Sequence, residues 1–195
     1  MDLEETKMHE SHAYVDEKYL KLIEIGSTEK VICAIRKHPI GLAGIYLSGI
    51  FVSLIIVIAS TLVGSWIQHQ LSVSFRLDVL FMLVGVLVGI ISFFFTYVSG
   101  FIYQNNILIL TNEKVAQILY VNLIDRKISQ LSLGELQDIT VSQTGLLARI
   151  FQFGTLVLET AGEQNNYNFT YTRYPHHCAK ELVEAHETSI KRYGN

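Results

Sequence analysis

The chain has 195 residues, half of them hydrophobic, and its 15 basic and 18 acidic side chains give a net charge of −3. Neither polar part has a basic excess, since residues 1–38 carry eight acids and six bases and residues 104–195 carry nine and eight. Because phosphate backbones are bound through clustered Lys and Arg, this balance argues against nucleic acid as a partner.

Residues 1–38 form the first segment, which is polar and begins with an acidic stretch. The residue pattern predicts a short helix from Tyr14 to Ile23 and a strand from Val31 to Ile35. The sequence leaves open whether this strand joins the sheet of a later domain or pairs elsewhere. The two cysteines, Cys33 and Cys178, are too few for a disulfide framework, and we expect both to be reduced.

Residues 39–103 hold two long apolar stretches. Pro39 to Phe75 and Val79 to Asn112 contain no Asp, Glu, Lys or Arg. A helix of about 20 apolar residues crosses a bilayer, and a helix bonds all of its backbone polar groups internally. We therefore predict two transmembrane helices, at about 41–67 and 79–103, joined by a short external loop.

Four residues of the predicted helices have an expected role in packing or anchoring. Gly85 and Gly89 form a small-xxx-small pair in the second helix. Small residues permit close approach of helix backbones, so this pair predicts packing of the two helices into a hairpin, with contact between two copies as the alternative. Trp66 and Tyr103 lie near helix ends, where amphipathic rings are enriched, and are predicted as interface anchors.

The basic residues near the helix ends predict the orientation. Arg36 and Lys37 stand just before the first predicted helix, whereas the loop between the helices has only Arg76. Three further bases follow the second helix, namely Lys114, Arg126 and Lys127. Because Lys and Arg are enriched on the cytoplasmic side, we expect a multi-pass protein of the plasma membrane with both termini in the cytoplasm.

Residues 104–195 change to short alternating segments. The predicted strands are Ile107–Thr111, Val115–Val121, Ile124–Leu133, Leu136–Ser142, Thr155–Thr160 and Tyr167–Thr172. Consecutive strands with short turns favour an antiparallel sheet folded on itself. After Pro175, apolar residues recur at helical spacing and predict a C-terminal helix. The predicted fold class is therefore membrane α plus all-β, with a two-helix transmembrane hairpin before a split β-barrel that the last helix caps.

Several short stretches add a family resemblance. They are Glu29-Lys30-Val31-Ile32, Arg36-Lys37-His38-Pro39-Ile40, Leu110-Thr111-Asn112-Glu113-Lys114-Val115, Leu136-Gln137-Asp138-Ile139-Thr140-Val141 and the segment from Gly145 to Thr155. In this order, beside two predicted spans, they resemble the bacterial PH-domain membrane proteins of the YdbS-like group from about Glu29 onward. The resemblance implies a PH-like split barrel on a two-helix anchor, with no established enzymatic activity.

The chain departs from PH domains that bind lipid headgroups. The first turn of the β domain holds Lys114 as its only base, beside Glu113, and the turn after the second strand has Val121-Asn122 where glycine is usual. Lipid-binding PH domains of eukaryotes place several bases in the first turn, where they meet phosphates through charge-assisted bonds. The sequence therefore does not support phosphoinositide recognition.

The segment from Gly145 to Phe153 is the candidate for an interaction surface. Its apolar residues are predicted on one side of a short turn, with Arg149 opposite. These apolar residues are Leu146, Leu147, Ile150 and Phe151. Two interpretations stay open: this side closes the barrel, or it touches the membrane or a partner while Arg149 meets lipid phosphate. Arg126 and Lys127 form a basic pair that would add about 1 kcal/mol per charge near anionic lipid.

The sequence predicts no metal, cofactor or catalytic site. His176-His177-Cys178 and His186 are residue types that bind zinc, but no second cysteine pair accompanies them. No Walker loop, dinucleotide-binding fingerprint or nucleophile elbow is present. An enzyme that uses His177 or Cys178 is the minor hypothesis.

The leading functional hypothesis is a non-enzymatic, membrane-anchored PH-like module that binds proteins or lipids at the cytoplasmic face. Its expected partners are the lipid bilayer and a membrane or cytoplasmic protein, with a second copy as a further option. The alternative is a small pore or transport accessory subunit built from oligomerised hairpins. Transport sites usually contain an intramembrane ionisable residue, and the predicted spans have none apart from groups at their boundaries.

Overall fold

The computed structural model describes residues 15–26, 29–71, 76–160 and 167–193. The acidic start of the chain and the predicted turn at 161–165 lie outside the described residues. The chain divides into two compact units. Residues up to Ile40 and from Gln104 onward form one, here called the β unit, and Gly41–Tyr103 forms the other, here called the helical unit.

The β unit contains seven described strands and three described α-helices. In chain order these are α1 (Glu17–Leu22), β1 (Val31–Arg36), β2 (Ile107–Thr111), β3 (Lys114–Tyr120), β4 (Arg126–Ser132), β5 (Leu136–Ser142), α4 (Leu146–Ile150), β6 (Phe153–Thr160), β7 (Tyr167–Arg173) and α5 (Pro175–Tyr193). A 3-10 turn, Leu133–Glu135, separates β4 from β5. The long helices α2 (Pro39–Leu71) and α3 (Leu77–Asn105) are described with the helical unit.

The predicted strands of the C-terminal part are confirmed, with ends that differ by one or two residues at most. The helix from Pro175 is also confirmed, and the N-terminal helix is shorter than predicted. Short polar turns such as Asn112-Glu113 set these boundaries, because turn residues compete with the strand conformation.

The strands form two antiparallel sheets, so the predicted β domain is present, but they do not form a closed barrel. One sheet has the order β1-β2-β3-β4 and the other has the order β5-β6-β7. The 3-10 turn lies between β4 and β5, and these consecutive strands belong to different sheets. Among the described residues, one isolated bridge between Lys37 and Thr172 joins β1 to the second sheet.

The strand before the first long helix belongs to the β unit. Cys33 pairs with Leu110 and Ile35 with Leu108, so β1 forms the edge of the four-stranded sheet. This answers a question that the sequence left open. The predicted division set residues 1–38 apart from 104–195, whereas backbone pairing across more than 60 intervening residues unites them.

The inner strands of the four-stranded sheet, β2 and β3, are largely buried on both faces. Leu108 and Leu110 of β2 face a core shared with the second sheet and α5. Ile107 and Ile109 face a second core, in which Tyr19 of α1 and Ile23, the residue after this helix, cover the sheet. Burial on both sides explains why β2 is a continuous apolar run and not an alternating one.

The helical unit contains two helices that are long and apolar enough to span a membrane. The helix α2 has 33 residues and α3 has 29, so each exceeds the bounds predicted for it by a few residues at either end. In the most apolar window of each helix only 6% of α2 and 11% of α3 is buried. Both helices thus leave most of this apolar window uncovered by the rest of the described chain.

Glycines bring α2 and α3 into close contact. A Cβ atom at Gly85 would lie 2.6 Å from Cβ of Ser60, and one at Gly89 would lie 3.4 Å from the Val57 side chain. Both glycines of the predicted packing pair thus face the other helix of the same chain. Gly44 differs, because a Cβ there would have no neighbour within 4 Å among the described residues.

Candidate interaction surface

The helix α4 presents four apolar side chains to solvent. Their exposed fractions are 74% for Leu146, 60% for Leu147, 61% for Ile150 and 46% for Phe151. Only Ala148 of this helix is turned inward and buried. These four residues, here called the α4 patch, do not close a barrel, so the first of the two sequence interpretations is wrong for them.

Backbone geometry at both ends of α4 fixes the position of the patch. Gly145 precedes the helix with a φ of +96°, a conformation that L side chains rarely adopt. The amide of Phe151 donates to the carbonyl of Leu147 at 3.0 Å and closes the turn. Gln152 then adopts a φ of +51° before β6 begins. The chain thus leaves and re-enters the sheet within a few residues.

The predicted basic residues lie on different elements. Arg126 pairs with Tyr120 and Lys127 with Leu119 at the start of β4, in the four-stranded sheet. Arg149 lies on α4, next to the three-stranded sheet, and lines a cavity of about 460 Å³ with Gln143 and His176. All three basic side chains are exposed.

A second exposed apolar surface lies in the turn between β3 and β4. Val121 is 68% exposed, Leu123 is 55% exposed and Ile124 is 91% exposed. We call these three residues the β3–β4 tip. The sequence pattern predicts Val121 and Ile124 as strand residues, so it does not indicate this surface. The available signal was the occurrence of three apolar residues around Asn122, in a position where turns are normally polar.

Asn122 and Asp125 satisfy the backbone of this turn internally. The side-chain oxygen of Asn122 accepts from the amides of Ile124 at 3.2 Å and of Asp125 at 2.7 Å. The carbonyl of Asp125 accepts from the amide of Val121 at 3.0 Å, and its carboxylate accepts from the Asn122 amide group at 2.9 Å. Because its polar groups are hydrogen-bonded within the turn, moving this turn out of water costs less free energy.

Each apolar surface is connected to a residue where the β unit continues into a long helix. Asn106 follows α3 directly, and its side-chain oxygen accepts from the amide of Tyr120 at 2.7 Å, next to the β3–β4 tip. His38 precedes α2 directly, and its ring stacks on that of Phe153 at 5.5 Å, just after the α4 patch.

His38 is held by further contacts in its neutral form. Its amide donates to the carbonyl of Tyr171 at 2.6 Å, and its Nδ1 accepts from the amide of Ile40 at 3.1 Å. Burial, with a smaller contribution from Arg173, lowers the pKa of the His38 ring below its ordinary value. A neutral ring is the form that accepts at Nδ1.

Lys114 is committed to an internal network. Its ammonium group lies 3.4 Å from the carboxylate of Glu29 and donates to the carbonyl of Ile23 at 3.0 Å. The Glu29 side chain is only 3% exposed and also accepts from Thr111 Oγ1 at 2.6 Å. Two stretches that carry the family resemblance thus meet here, and the one base of the first turn is engaged inside the protein.

Cys178 and His177, the residues of the minor enzyme hypothesis, are both in contact with neighbouring groups in the described part of the chain. Cys178 is buried, its thiol donates to the carbonyl of Arg173 at 3.5 Å, and burial raises its pKa to about 12. His177 lies 3.6 Å from Glu181. A protonated, buried thiol is a poor nucleophile. Among the described residues, no group of three His, Cys, Asp or Glu side chains could hold a metal ion.

Hydroxyl groups of the long helices bond to backbone carbonyls. Ser53 donates to the carbonyl of Gly89 at 3.2 Å, and Ser60 donates to that of Phe81, so both link α2 to α3. Thr96 donates within its own helix at 3.1 Å. The two hydroxyls of α2 thus contribute to the packing of α2 on α3.

The two predicted anchors have different surroundings. Trp66 is 65% exposed on α2. The Tyr103 ring is half-buried and packs over Gly41 of the other helix, at a distance that leaves no room for a Cβ. Trp66 thus has an open aromatic surface, whereas Tyr103 contributes to the packing of the helix pair.

Comparisons with known proteins give no family assignment. The chain matches no protein-family model, and no curated protein or solved structure shows significant similarity to it. Its function therefore has to be argued from the geometry of its own residues.

Proposed function

We propose that this chain is a non-enzymatic, membrane-anchored PH-like protein whose β unit binds a protein or lipid partner at the cytoplasmic membrane face. The observation that carries the proposal is the α4 patch, which exposes four apolar side chains on a unit continuous with two apolar helices. Apolar surface clustered in this way on a folded unit is typical of an interaction site.

Membrane anchoring is supported by the exposure of α2 and α3. Each helix is longer than the roughly 20 residues that a bilayer requires. Leu47, Phe51 and Leu62 of α2 are each at least 65% exposed, a state that is stable in lipid and unfavourable in water. More Lys and Arg residues flank the two helices than lie in the short loop between them, which supports an orientation with both termini in the cytoplasm.

The PH-like assignment is supported by the order of elements in the β unit. Seven antiparallel strands of the described residues form two sheets, and α5 follows the last of these strands and packs against the second sheet through Leu182. The helices α2 and α3 lie between β1 and β2 in the chain, so the proposed anchor interrupts the β unit in sequence.

Extraction of membranes with alkaline carbonate tests the anchoring. We expect the full-length chain to remain in the pellet with integral membrane proteins, because two apolar helices hold it in the bilayer. Release into the supernatant together with peripheral proteins would refute the proposal. A fluorescent protein fused after Asn195 tests the orientation, and it should fluoresce only if this end is cytoplasmic.

A photoreactive amino acid in place of Leu147 tests the interaction surface in native membranes. We expect a cross-linked protein or lipid with the residue at this position. The matched control is the same amino acid in place of Ile190, which is also exposed (50%) but lies on α5. Absence of an adduct at Leu147, or an equal yield at Ile190, would contradict an interaction site at α4.

A further inference from the structure

Strand register places the β3–β4 tip at one defined end of the four-stranded sheet. Arg36 pairs with Ile107, Ile107 with Ile118, and Ile118 with Ile128. This row therefore crosses the whole sheet at the point where β1 ends and β2 begins. The tip begins three residues beyond Ile118, on the side where the chain leaves for α2 and returns from α3.

Strand pairing places the α4 patch at the corresponding end of the three-stranded sheet. Phe153, the first residue of β6, pairs with Arg173. The neighbour of Arg173 in β7, Thr172, forms the bridge to Lys37, which directly follows β1. The patch ends two residues before Phe153. Both apolar surfaces thus lie beside the two points where the β unit continues into a long helix.

From this juxtaposition we infer that the β3–β4 tip and the α4 patch enter the headgroup region of the leaflet adjacent to Pro39 and Asn105. The ligand is the phospholipid of that leaflet, which contacts apolar side chains through its upper acyl region. The inference rests on the proposed function, because it requires α2 and α3 to span the membrane.

The basic residues beside the two surfaces fit an anionic lipid. Arg126 and Lys127 come two and three residues after Ile124 of the tip, and Arg149 lies within α4. The tip's own acid, Asp125, is bonded to Asn122 and faces back into the turn. Apolar side chains flanked by Lys and Arg are the combination that binds the interface of membranes with anionic phospholipids.

Three observations favour lipid over a protein partner or a second copy. The tip and the patch belong to different sheets and flank both exits of the chain, an arrangement suited to a plane. The backbone of the tip is bonded internally, so it needs no partner for its polar groups. The tip and the patch lie beside the residues where the chain enters the two helices, so under the proposed anchoring lipid is the partner at the highest local concentration.

Tryptophan quenching by brominated phospholipids tests the inference on the full-length chain in vesicles of phosphatidylcholine and phosphatidylglycerol. Trp66, the only tryptophan, is replaced by Phe. Single tryptophans are then introduced by Ile124→Trp in the tip, Leu147→Trp in the patch and Ile190→Trp on α5. All three positions are exposed aliphatic residues, so the variants are matched. Circular dichroism confirms that each variant is folded.

We expect brominated lipid to reduce the emission of Ile124→Trp and Leu147→Trp by roughly twofold or more, and that of Ile190→Trp little, because only side chains at interface depth meet the bromines. Equal emission of all three variants with and without bromine would overturn the inference. A blue shift that grows with the protein-to-lipid ratio, without quenching, would also overturn it and indicate a second copy. A cross-linked protein at Leu147 together with unquenched emission would indicate a protein partner instead.

Carbonate extraction of the same vesicles separates this inference from the proposed function. If the chain is released, the anchoring itself has failed. If the chain stays in the membrane and Ile124→Trp and Leu147→Trp are unquenched, only the insertion of the two surfaces is refuted.

Discussion

The side chain of Asn106 accepts a hydrogen bond from the backbone amide of Tyr120 at 2.7 Å. Asn106 is the first residue after α3, and Tyr120 is the last residue of β3. Because Asn106 is only 8% exposed, this bond is shielded from water. The bond therefore holds the residue at which the chain re-enters the β unit next to the start of the β3–β4 tip.

We predict that Asn106→Ala destabilises the β unit by about 1–2 kcal/mol, because the Tyr120 amide then lacks its acceptor. Urea unfolding of the detergent-solubilised chain measures the change, and hydrogen exchange measures the protection of the Tyr120 amide. Asn106→Asp is the control, since it retains an acceptor oxygen in the same place. Equal protection of Tyr120 in Asn106→Ala and the wild type would contradict the prediction.

The buried ion pair of Glu29 and Lys114 gives a second prediction. Glu29→Ala should destabilise the β unit by about 3 kcal/mol, because it removes the carboxylate that Lys114 and Thr111 share in a mostly buried place. Glu17→Ala is the matched control, since Glu17 pairs with Lys21 on the exposed face of α1, where an ion pair is worth about 0.5 kcal/mol or less. Similar shifts of the urea midpoint in the two variants would show that the network does not stabilise the fold.

Two glycines of the helix pair, Gly85 and Gly44, give a third prediction in which Gly44 is the control. Gly85→Ala would place a Cβ 2.6 Å from that of Ser60, so we expect it to destabilise the packing of α2 on α3 by about 1–3 kcal/mol. Gly44→Ala meets no neighbour within 4 Å and should leave the packing unchanged. Thermal unfolding in detergent, followed by circular dichroism, compares the two. An equal midpoint for both variants would contradict a role for Gly85 in helix packing.

Acidification should weaken the structure around His38. The pKa of His38 is lowered by burial and by Arg173, so the unfolded chain takes up the proton more readily than the folded chain. The stabilisation is therefore complete above the unfolded pKa of about 6.5 and is lost as the pH falls below it. Hydrogen exchange of the Ile40 amide, corrected for its intrinsic pH dependence, measures the effect.

His38→Asn is the control for the pH dependence. The asparagine side chain offers an oxygen in place of Nδ1 and does not titrate, so the protection of Ile40 should become independent of pH in this range. If the protection of the Ile40 amide still declined with falling pH in His38→Asn, the pH dependence would belong to another group.

Both cysteines should resist alkylation in the folded protein. Burial raises the pKa of Cys178 to about 12 and also raises that of Cys33, and only the thiolate reacts. From the thiolate fraction alone we expect iodoacetamide to label Cys178 roughly a thousandfold more slowly than an ordinary thiol. Mass spectrometry with and without denaturant measures the labelling. Rapid labelling of the native chain would contradict the burial of these thiols.

Local pattern was sufficient for most secondary structure. The alternation in Tyr167–Arg173 and the helical period after Pro175 reflect the contacts of each element with one core, so both could be predicted. The same reasoning failed for the tip, where Val121 and Ile124 have the apolar character of strand residues but lie in a turn closed by Asn122. Its side chain, and not the hydrophobic pattern, fixes that turn.

The candidate surface was predicted only in part. The sequence identified the α4 residues because Leu146, Leu147 and Ile150 recur at helical spacing, but spacing does not distinguish a side that faces the core from one that faces solvent. Ala148 decides this, since its small side chain is the one that packs inward. The neighbourhood of the patch depends on a stack between His38 and Phe153, which are more than 100 residues apart.

The amino-acid sequence by itself determined the two apolar helices and the succession of strands, because chain length, charge and periodicity act through neighbouring residues. Tertiary structure alone decided that β1 pairs with β2, that the strands form two sheets and that Lys114 is held by Glu29. These features depend on residues brought together across the two long helices. Long-range pairing of this kind leaves no periodic trace in a single sequence, and it is what brings the tip and the α4 patch beside the two exits of the β unit.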